Sequence, residues 1–362
     1  MHVIENFESG RVGPKPHHMA RTIIALAVAL GLCTATACSS AAPTGGAWIP
    51  PDAPATSATA ATATPDASPG TSASASASAG ASASPRRSAT GIVNSKIPVR
   101  AAFYYPWYPE NFKAPSGKYM PSAGYYNGDD RAVVARQIKD MQYGQLQAGI
   151  ASWWGKGKRE DNRLPLLMAE AAKLDFSWSI YYEAESLGDP SSAQISADLN
   201  YLRRYADLPA WLHIGGRPAV FVYADGNDAC GMVTRWANAN KSAGYYVVLK
   251  VFGGYRDCAG QPQGWHQYAP GGHLDVQAGY SASVSPGFYR YDAASPMLPR
   301  DPARFRQDVA TVAASRAPFQ LVTTYNEWGE GTSVESTTDW PSASGHGVYV
   351  DILHDVFGAY PR

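Results

Sequence analysis

Short β-like runs alternate with helix-like segments from residue 96 to residue 362, and this alternation limits the possible folds more than any other feature. It is the pattern of an α/β protein in which helices join parallel strands. Seven strands are predicted, near residues 99–105, 150–154, 176–182, 219–223, 246–251, 274–279 and 320–325. An eighth, expected near 281–285, would complete a (β/α)8 TIM barrel, and the segment suits the roughly 250 residues that such barrels need.

An open doubly wound sheet is the competing architecture. Such a sheet usually carries a glycine-rich turn after its first strand, whereas here the first strand runs into Pro106-Trp107-Tyr108. Neither GxGxxG nor GxxxxGKS/T occurs in the chain. Nucleotide chemistry is therefore disfavoured, and the barrel is the preferred architecture.

Residues 1–38 have the character of an export segment. An apolar run over 23–32 follows Arg21; it is too short to span a bilayer but fits the core of a signal peptide. The following Ala35-Thr36-Ala37-Cys38 resembles a bacterial lipobox, which predicts cleavage before Cys38 and lipidation of its thiol. A plain signal peptide with ordinary secretion is the alternative.

Residues 39–95 are almost entirely Ala, Ser, Thr, Pro and Gly. Such a stretch cannot bury enough apolar surface to offset its conformational entropy, so a disordered linker is predicted. It would hold a single catalytic domain, residues 96–362, away from the membrane. The expected location is extracellular, at the outer face of the cell membrane, and Met19 is a second candidate for the true start.

The charge of the chain limits the classes of binding partner, and its cysteine content indicates a disulfide. Lys and Arg number 30, as do Asp and Glu, so neither nucleic acid nor an anionic membrane surface is an expected partner. Membrane contact is expected only through the lipid anchor, and the protein is expected to be a monomer. Outside the export segment, Cys230 and Cys258 are predicted to form a disulfide, with two buried free thiols as the alternative.

Aromatic residues recur where the predicted strands end. The active site of a barrel lies at the carboxyl ends of its strands. The aromatic residues at these ends are Tyr105, Trp107, Trp153, Trp154, Tyr223, Tyr280 and Trp328. Flat apolar rings with polar edges stack on sugars, so a carbohydrate site is predicted. Packing at the end of the barrel core is the alternative for any one of them.

Two carboxylates follow the last predicted strand. Glu327 and Glu330 lie three residues apart in Tyr325-Asn326-Glu327-Trp328-Gly329-Glu330-Gly331-Thr332. Glycoside hydrolysis needs such a pair, one to protonate the leaving oxygen and one to act as base or nucleophile. A solvated acidic loop is the alternative. No HExxH, CxxC or GxSxG spacing occurs, so neither a metal nor a cofactor is expected.

Together these motifs resemble glycoside hydrolase family 99, the endo-α-mannosidases. The similarity spans residues 98–358 and includes Tyr105-Pro106-Trp107-Tyr108, Ser152-Trp153-Trp154-Gly155, Tyr182-Glu183 and Glu327-Trp328-x-Glu330-Gly331-Thr332. It implies a barrel, retention of anomeric configuration, no metal and an α-mannan-like poly- or oligosaccharide substrate. The chain departs from the family at Gly329, where histidine is usual, and this leaves the linkage open.

The resemblance also implies residue roles. Glu327 would deprotonate the sugar's 2-hydroxyl, which attacks the anomeric carbon to form a 1,2-anhydro sugar, and Glu330 would protonate the leaving group. Glu183 would bond sugar hydroxyls. The implied subsite residues are Tyr105, Trp153, Trp154, Tyr280 and Asn326. A non-catalytic glycan-binding protein and a glycosidase with a direct carboxylate nucleophile are the rival interpretations.

Overall fold

The computed structural model describes residues 95–112 and 117–361. The export segment with Cys38, the alternative start at Met19 and the linker up to residue 94 lie outside the described residues. Among the described helices, none combines the length and apolar character needed to cross a bilayer.

Ten strands and six α-helices make up the described chain. The strands are β1 Val99–Tyr104, β2 Ala148–Trp153, β3 Ser177–Tyr182, β4 His213–Ile214, β5 Arg217–Val222, β6 Tyr246–Lys250, β7 Gly264–His266, β8 Leu274–Gln277, β9 Ser281–Val284 and β10 Phe319–Val322. The helices are α1 Arg131–Tyr143, α2 Arg159–Leu174, α3 Ser192–Ala206, α4 Cys230–Ala243, α5 Pro302–Ala314 and α6 Val348–Ala359.

Eight of these strands form the parallel sheet of a (β/α)8 barrel, as predicted. They follow one another in the order β7-β6-β5-β3-β2-β1-β10-β9, and each pairs with its neighbour in parallel register. At the seam between β7 and β9, the described residues form no ladder. There Ser283 Oγ donates to the Gln267 carbonyl at 2.8 Å. The sheet is thus a nearly closed barrel.

The prediction for the sixth strand needs a correction. The run 274–279 contains β8, which is antiparallel to β9 and therefore not a barrel strand. The eighth strand expected near 281–285 is confirmed as β9. The barrel strand that the sequence did not reveal is β7, because three residues that begin with glycine carry no β pattern.

Side-chain caps mark the starts of α1 and α5. Asp130 accepts the Ala132 N–H at the start of α1, and Asp301 accepts two N–H groups at the start of α5, where Pro302 takes the first helical position. Cys230, the first residue of α4, forms a disulfide with Cys258 in the β6–β7 connection. The bond ties this helix to a connection that contains no α-helix of its own.

Two apolar layers hold the barrel together. The outer layer lies between the sheet and the helices and contains residues such as Tyr104, Trp178 and Trp236. The inner layer fills the barrel with alternate strand residues, among them Phe103, Ile150, Tyr181, Phe221, Val248 and Leu321. Because the inner layer is packed, open space for a ligand is expected only where the strands end.

Candidate active site

Rings from four strands line the carboxyl end of the barrel. Tyr105, which follows β1, and Tyr223, which follows β5, belong to the inner layer. Trp154 after β2 and Tyr268 after β7 are less buried and pack against that layer. Because side chains alternate in direction along a strand, these residues all face the barrel axis. They form a common mouth.

The two carboxyls predicted to be catalytic lie on the segment that leaves β10. Glu327 is 1% exposed and Glu330 is 7% exposed. Oε1 of Glu327 accepts the Gly329 N–H at 2.8 Å, whereas its Oε2 has no hydrogen-bond partner among the described residues. Oε2 of Glu330 accepts the Tyr268 hydroxyl at 2.9 Å. A buried carboxyl oxygen without a partner is costly, and it leaves an acceptor available to a ligand.

Burial changes how this pair titrates. Burial and, secondly, the charge of Glu330 raise the pKa of Glu327 well above its usual range, although the backbone N–H groups of Gly329 and Glu330 lower it. Burial raises the pKa of Glu330 to about 7, against the lowering effects of Tyr268 and Arg290. Two adjacent buried carboxyls do not both ionise readily, so the pair holds a proton near neutral pH.

Glu183, which follows β3, is a third buried carboxyl at the mouth. Its Oε1 accepts the Ser152 hydroxyl at 2.9 Å, and the same oxygen of Ser152 accepts the Trp154 indole N–H at 3.0 Å. Burial raises the pKa of Glu183 to about 8, and the charge of Glu330 adds to this rise. The mutual influence of these carboxyls indicates that they share one electrostatic environment.

Asn326 connects the segment that carries Glu327 and Glu330 to the end of β1. Its Oδ1 accepts the Tyr105 N–H at 2.7 Å, and its Nδ2 donates to the Tyr105 carbonyl at 3.1 Å. Its own carbonyl accepts the Tyr108 hydroxyl at 3.0 Å. The side chain is fully buried and engaged by the protein. The structure therefore places Asn326 as a brace beneath Tyr105.

Trp328 and Trp107 are likewise behind the mouth. Trp328 is fully buried, and its indole N–H donates to the Tyr126 hydroxyl at 3.1 Å. Trp107 is 2% exposed and lies against Tyr105, with ring centroids 4.5 Å apart. Both rings pack and orient other groups, and neither offers an open face in this structure.

Two residues assigned to the mouth lie elsewhere. Trp153 belongs to the outer layer, and its indole N–H donates to Asp161 of α2 at 2.9 Å. Its neighbour Trp154 has the opposite direction, as alternation requires. Tyr280 immediately precedes β9 and lies at the amino end of the barrel, where its carbonyl accepts the Phe319 N–H. Its placement at a strand exit followed from treating 274–279 as a barrel strand.

Tyr268 is the site residue that sequence reasoning missed. Its hydroxyl also accepts a hydrogen bond from the Tyr105 hydroxyl at 3.0 Å. Beneath it lies His266, whose pKa burial lowers to about 3, so that the imidazole is neutral. Tyr268 could have been placed at the mouth only if β7 had been recognised as a barrel strand, because Tyr268 is two residues beyond the end of that strand.

Lys250, at the end of β6, adds a positive group beside Tyr223. Its Nζ lies 5.2 Å from the centre of the Tyr223 ring and donates to the Ala224 carbonyl at 2.9 Å. Burial lowers the pKa of Lys250 to about 8. The amine thus lies beside the rings of the mouth. It is carried by β6, whereas the carboxyls follow β3 and β10.

A cavity of about 430 Å³ opens beside Trp154 and is bounded by α3 residues that include Gln194, Asp198 and Tyr201. It lies next to the mouth rather than around Glu327 and Glu330.

Among the described residues, one acidic trio, Glu185, Asp189 and Asp228, has spacing suited to a cation. Arg235 already pairs with Glu185 at 2.8 Å and Asp189 at 2.9 Å, so this trio is explained as an ion-pair cluster.

No protein-family model matches the sequence, and no curated protein does. Solved structures match its fold. An endo-α-mannosidase of glycoside hydrolase family 99 from Bacteroides thetaiotaomicron aligns with a TM-score of 0.58 and 16% identity, over 73% of this chain and 98% of that one. A second structure of a family 99 endo-α-mannosidase from that organism, in complex with bis-tris propane, gives 0.57 and 17%, over 72% and 95%.

A glycoside hydrolase-like protein aligns with a TM-score of 0.55 and 14% identity, over 74% of this chain and 98% of that one. At such identities the likeness concerns the fold. The chain thus has a (β/α)8 barrel similar to that of family 99 endo-α-mannosidases, as the sequence resemblance predicted.

Proposed function

We propose that this protein is a retaining glycoside hydrolase, specifically an endo-acting α-mannosidase that cuts an α-mannan-like poly- or oligosaccharide. The observation that carries the proposal is the pair Glu327 and Glu330, two buried carboxyls with raised pKa at the mouth of a barrel lined with rings. Glycoside hydrolysis requires a carboxyl that remains protonated near neutral pH beside a second one. The similarity of fold to family 99 enzymes supports the same reaction.

In the proposed first step, Glu330 donates its proton to the glycosidic oxygen as the bond from that oxygen to the anomeric carbon breaks. Glu327 takes the proton of the sugar's 2-hydroxyl, whose oxygen attacks the anomeric carbon and forms a 1,2-anhydro ring. In the second step, Glu330 removes a proton from water, the water oxygen attacks the anomeric carbon as the bond from that carbon to O2 breaks, and O2 regains its proton from Glu327. Two inversions leave the configuration unchanged.

The geometry supports these roles. Oε2 of Glu327 is an unpartnered acceptor suited to a sugar hydroxyl. Burial and the charge of Glu330 raise the pKa of Glu327, and the backbone N–H groups of Gly329 and Glu330 oppose this rise. Tyr268 fixes the orientation of the Glu330 carboxyl, and burial keeps Glu330 protonated up to about pH 7. Glu183 lies within the same electrostatic environment and is proposed to bond sugar hydroxyls.

We further propose that the enzyme is exported and held at the outer face of the cell membrane by a lipid on Cys38. The support is sequence-level: a signal-like apolar run followed by small residues and a cysteine. Metabolic labelling with a fatty acid, compared between the native chain and C38S, tests this directly. Label on both variants would overturn lipidation at Cys38.

Product analysis of the purified protein against a panel of α-mannans and other α-glycans tests the activity. The expected result is release of oligosaccharides from α-mannan, with loss of activity in both E327Q and E330Q and little change in melting temperature. E170Q, which alters a buried carboxyl on α2, is the matched control and should remain active. Glycan binding without hydrolysis by the native protein would contradict the proposal and favour a binding protein.

The participation of the 2-hydroxyl is tested separately with a 2-deoxy substrate. The proposed mechanism predicts that this substrate is not hydrolysed, because it lacks the attacking oxygen. Hydrolysis together with a trapped covalent glycosyl-enzyme would show a direct carboxylate nucleophile instead.

A further inference from the structure

Glu330 lies on a segment in which every backbone carbonyl, from residue 329 to residue 333, accepts a hydrogen bond. Tyr291 and Tyr289 donate their N–H groups to the carbonyls of Gly329 and Glu330 at 2.9 and 2.8 Å, and Thr324 donates to Thr332 at 3.0 Å. The remaining two acceptors are the carbonyls of Gly331 and Ser333. Nη2 of one side chain, Arg300, donates to both of them.

Arg300 is itself enclosed by rings. Its guanidinium carbon lies 4.6 Å from the centre of the Tyr119 ring, 4.9 Å from Tyr349 and 5.1 Å from Trp340. Its Nε and Nη1 atoms are buried. Burial lowers the pKa of this group, yet a guanidinium keeps its charge in proteins. Stacking on three rings fixes the planar group in the orientation that its two carbonyl bonds require.

The segment that Arg300 holds has little room to relax. Gly331 has φ +64°, and a Cβ there would lie 2.8 Å from the Tyr289 carbonyl oxygen. The peptide is therefore closely packed on one side and bonded to Arg300 on the other. If Arg300 were removed, two buried carbonyls would lose their donor, and the turn would have to move to find new partners.

We propose that Arg300 is a positioning residue for the carboxyl pair: it fixes the backbone of residues 329–333 and thereby the place of the Glu330 carboxyl relative to Glu327. It acts through the peptide and does not touch the reacting atoms. The positive charge that lowers the pKa of Glu330 belongs to Arg290. The consequence for catalysis rests on the proposed function, whereas the consequence for the backbone does not.

The test compares R300M and R300K with the native protein and with R100M. Arg100 is a matched control because it is also buried and stacked, 4.3 Å from the Phe357 ring, and it donates to the Phe357 carbonyl at 2.8 Å. It lies at the amino end of β1, away from the mouth. Two readouts are taken: kcat and KM on a cleaved α-glycan, and hydrogen exchange of the backbone amides of residues 329–333.

A displacement of about 1 Å in a reacting group can cost on the order of 100-fold in rate, so R300M is expected to lower kcat by roughly that factor with little change in KM. Its amides at 329–333 should exchange faster than in the native protein. R300K, whose ammonium can still donate to the carbonyls but lacks the planar group that stacks on the three rings, should lie between the two. R100M should melt at a lower temperature but keep the native kcat and the native exchange at 329–333.

The outcomes separate the two proposals. Native kcat and native exchange in R300M would overturn the role of Arg300 and leave the proposed function intact. An inactive native protein with faster exchange in R300M would overturn the proposed function and leave the role of Arg300 intact. If R300M does not fold, R300K decides, since equal kcat and exchange in R300K and the native protein would show that the ring-stacked guanidinium is not needed to position the segment, and so would overturn the role of Arg300.

Discussion

The hydroxyl of Tyr268 donates a hydrogen bond to Oε2 of Glu330 at 2.9 Å while it accepts one from the hydroxyl of Tyr105 at 3.0 Å. This bond stabilises the ionised form of Glu330 and thus opposes the rise in pKa that burial causes. The phenol therefore sets both the direction and the acidity of the proposed catalytic acid.

We expect the kcat/KM of the native enzyme to fall on the alkaline side at or above pH 7, where the carboxyl pair loses its last proton. Y268F removes the bond that favours ionisation, so this alkaline limb should move to higher pH. The maximum kcat/KM should fall by roughly tenfold, equal to about 1.4 kcal/mol of transition-state stabilisation. A pH–rate profile checks both effects, and a limb that stays in place in Y268F would contradict this assignment.

Gly329 makes room for the Glu327 carboxyl. A Cβ at position 329 would lie 2.9 Å from Oε1 of Glu327, which is a side-chain atom rather than backbone. G329A should therefore displace the carboxyl at little cost in stability, and kcat should fall by about tenfold or more. Kinetics combined with thermal melts measure this, and unchanged kcat in G329A would show that the carboxyl tolerates the shift.

Buried Glu183 should make folding stability depend on pH. Burial raises its pKa to about 8, from roughly 4.3 in an unfolded chain. The contribution of this group is fully present below the unfolded pKa and is lost as pH rises through about 8. E183Q removes that dependence, so the variant should gain stability relative to the native protein between pH 5 and pH 8. Denaturant melts across this range measure the difference, which would be constant if Glu183 titrated normally.

Gly149 allows β2 to approach Trp178 of β3. A Cβ at position 149 would lie 2.0 Å from Cζ3 of the Trp178 ring, which is fully buried in the outer layer. G149A should destabilise the fold by about 1–3 kcal/mol through overpacking. G358A is the control, because a Cβ at that α6 position meets nothing within 4 Å, and it should stabilise by up to ~1 kcal/mol. Equal melting temperatures for G149A and the native protein would contradict the packing argument.

Sequence patterns predicted most of the barrel because its strands are buried on both faces. The runs that became β1, β3 and β5 are continuous and rich in β-branched or aromatic residues, which is how such strands read in a sequence. The segment β7 could not be recognised, since Gly264–His266 takes its strand conformation from pairing with β6 and has no local pattern. That omission also concealed Tyr268.

The candidate site was predictable in its chemistry more than in its geometry. Glu327 and Glu330 follow a recognisable strand, and proximity in sequence was enough to bring them together. The sequence could not show which of Trp153 and Trp154 faces the barrel interior. A shift of one residue along β2 moves a ring to the other side of the sheet, so the register of β2 is needed. Asn326 and Trp328 have partners that are distant in sequence, so only the folded structure reveals them as supports.

The seam between β7 and β9 is the part of the barrel that we expect to open first on heating, because no strand ladder joins its two sides in the described residues. Tyr268 follows β7, whereas Tyr289, which bonds the Glu330 carbonyl, follows β9, so the two supports of Glu330 come from opposite sides of the seam. A local opening there would separate the phenol from the carboxyl while the seven parallel strand pairings of the barrel stayed intact. We therefore expect activity to be lost at a temperature below that of global melting, and the working range of such an enzyme to be set by the contacts around Ser283 rather than by its core.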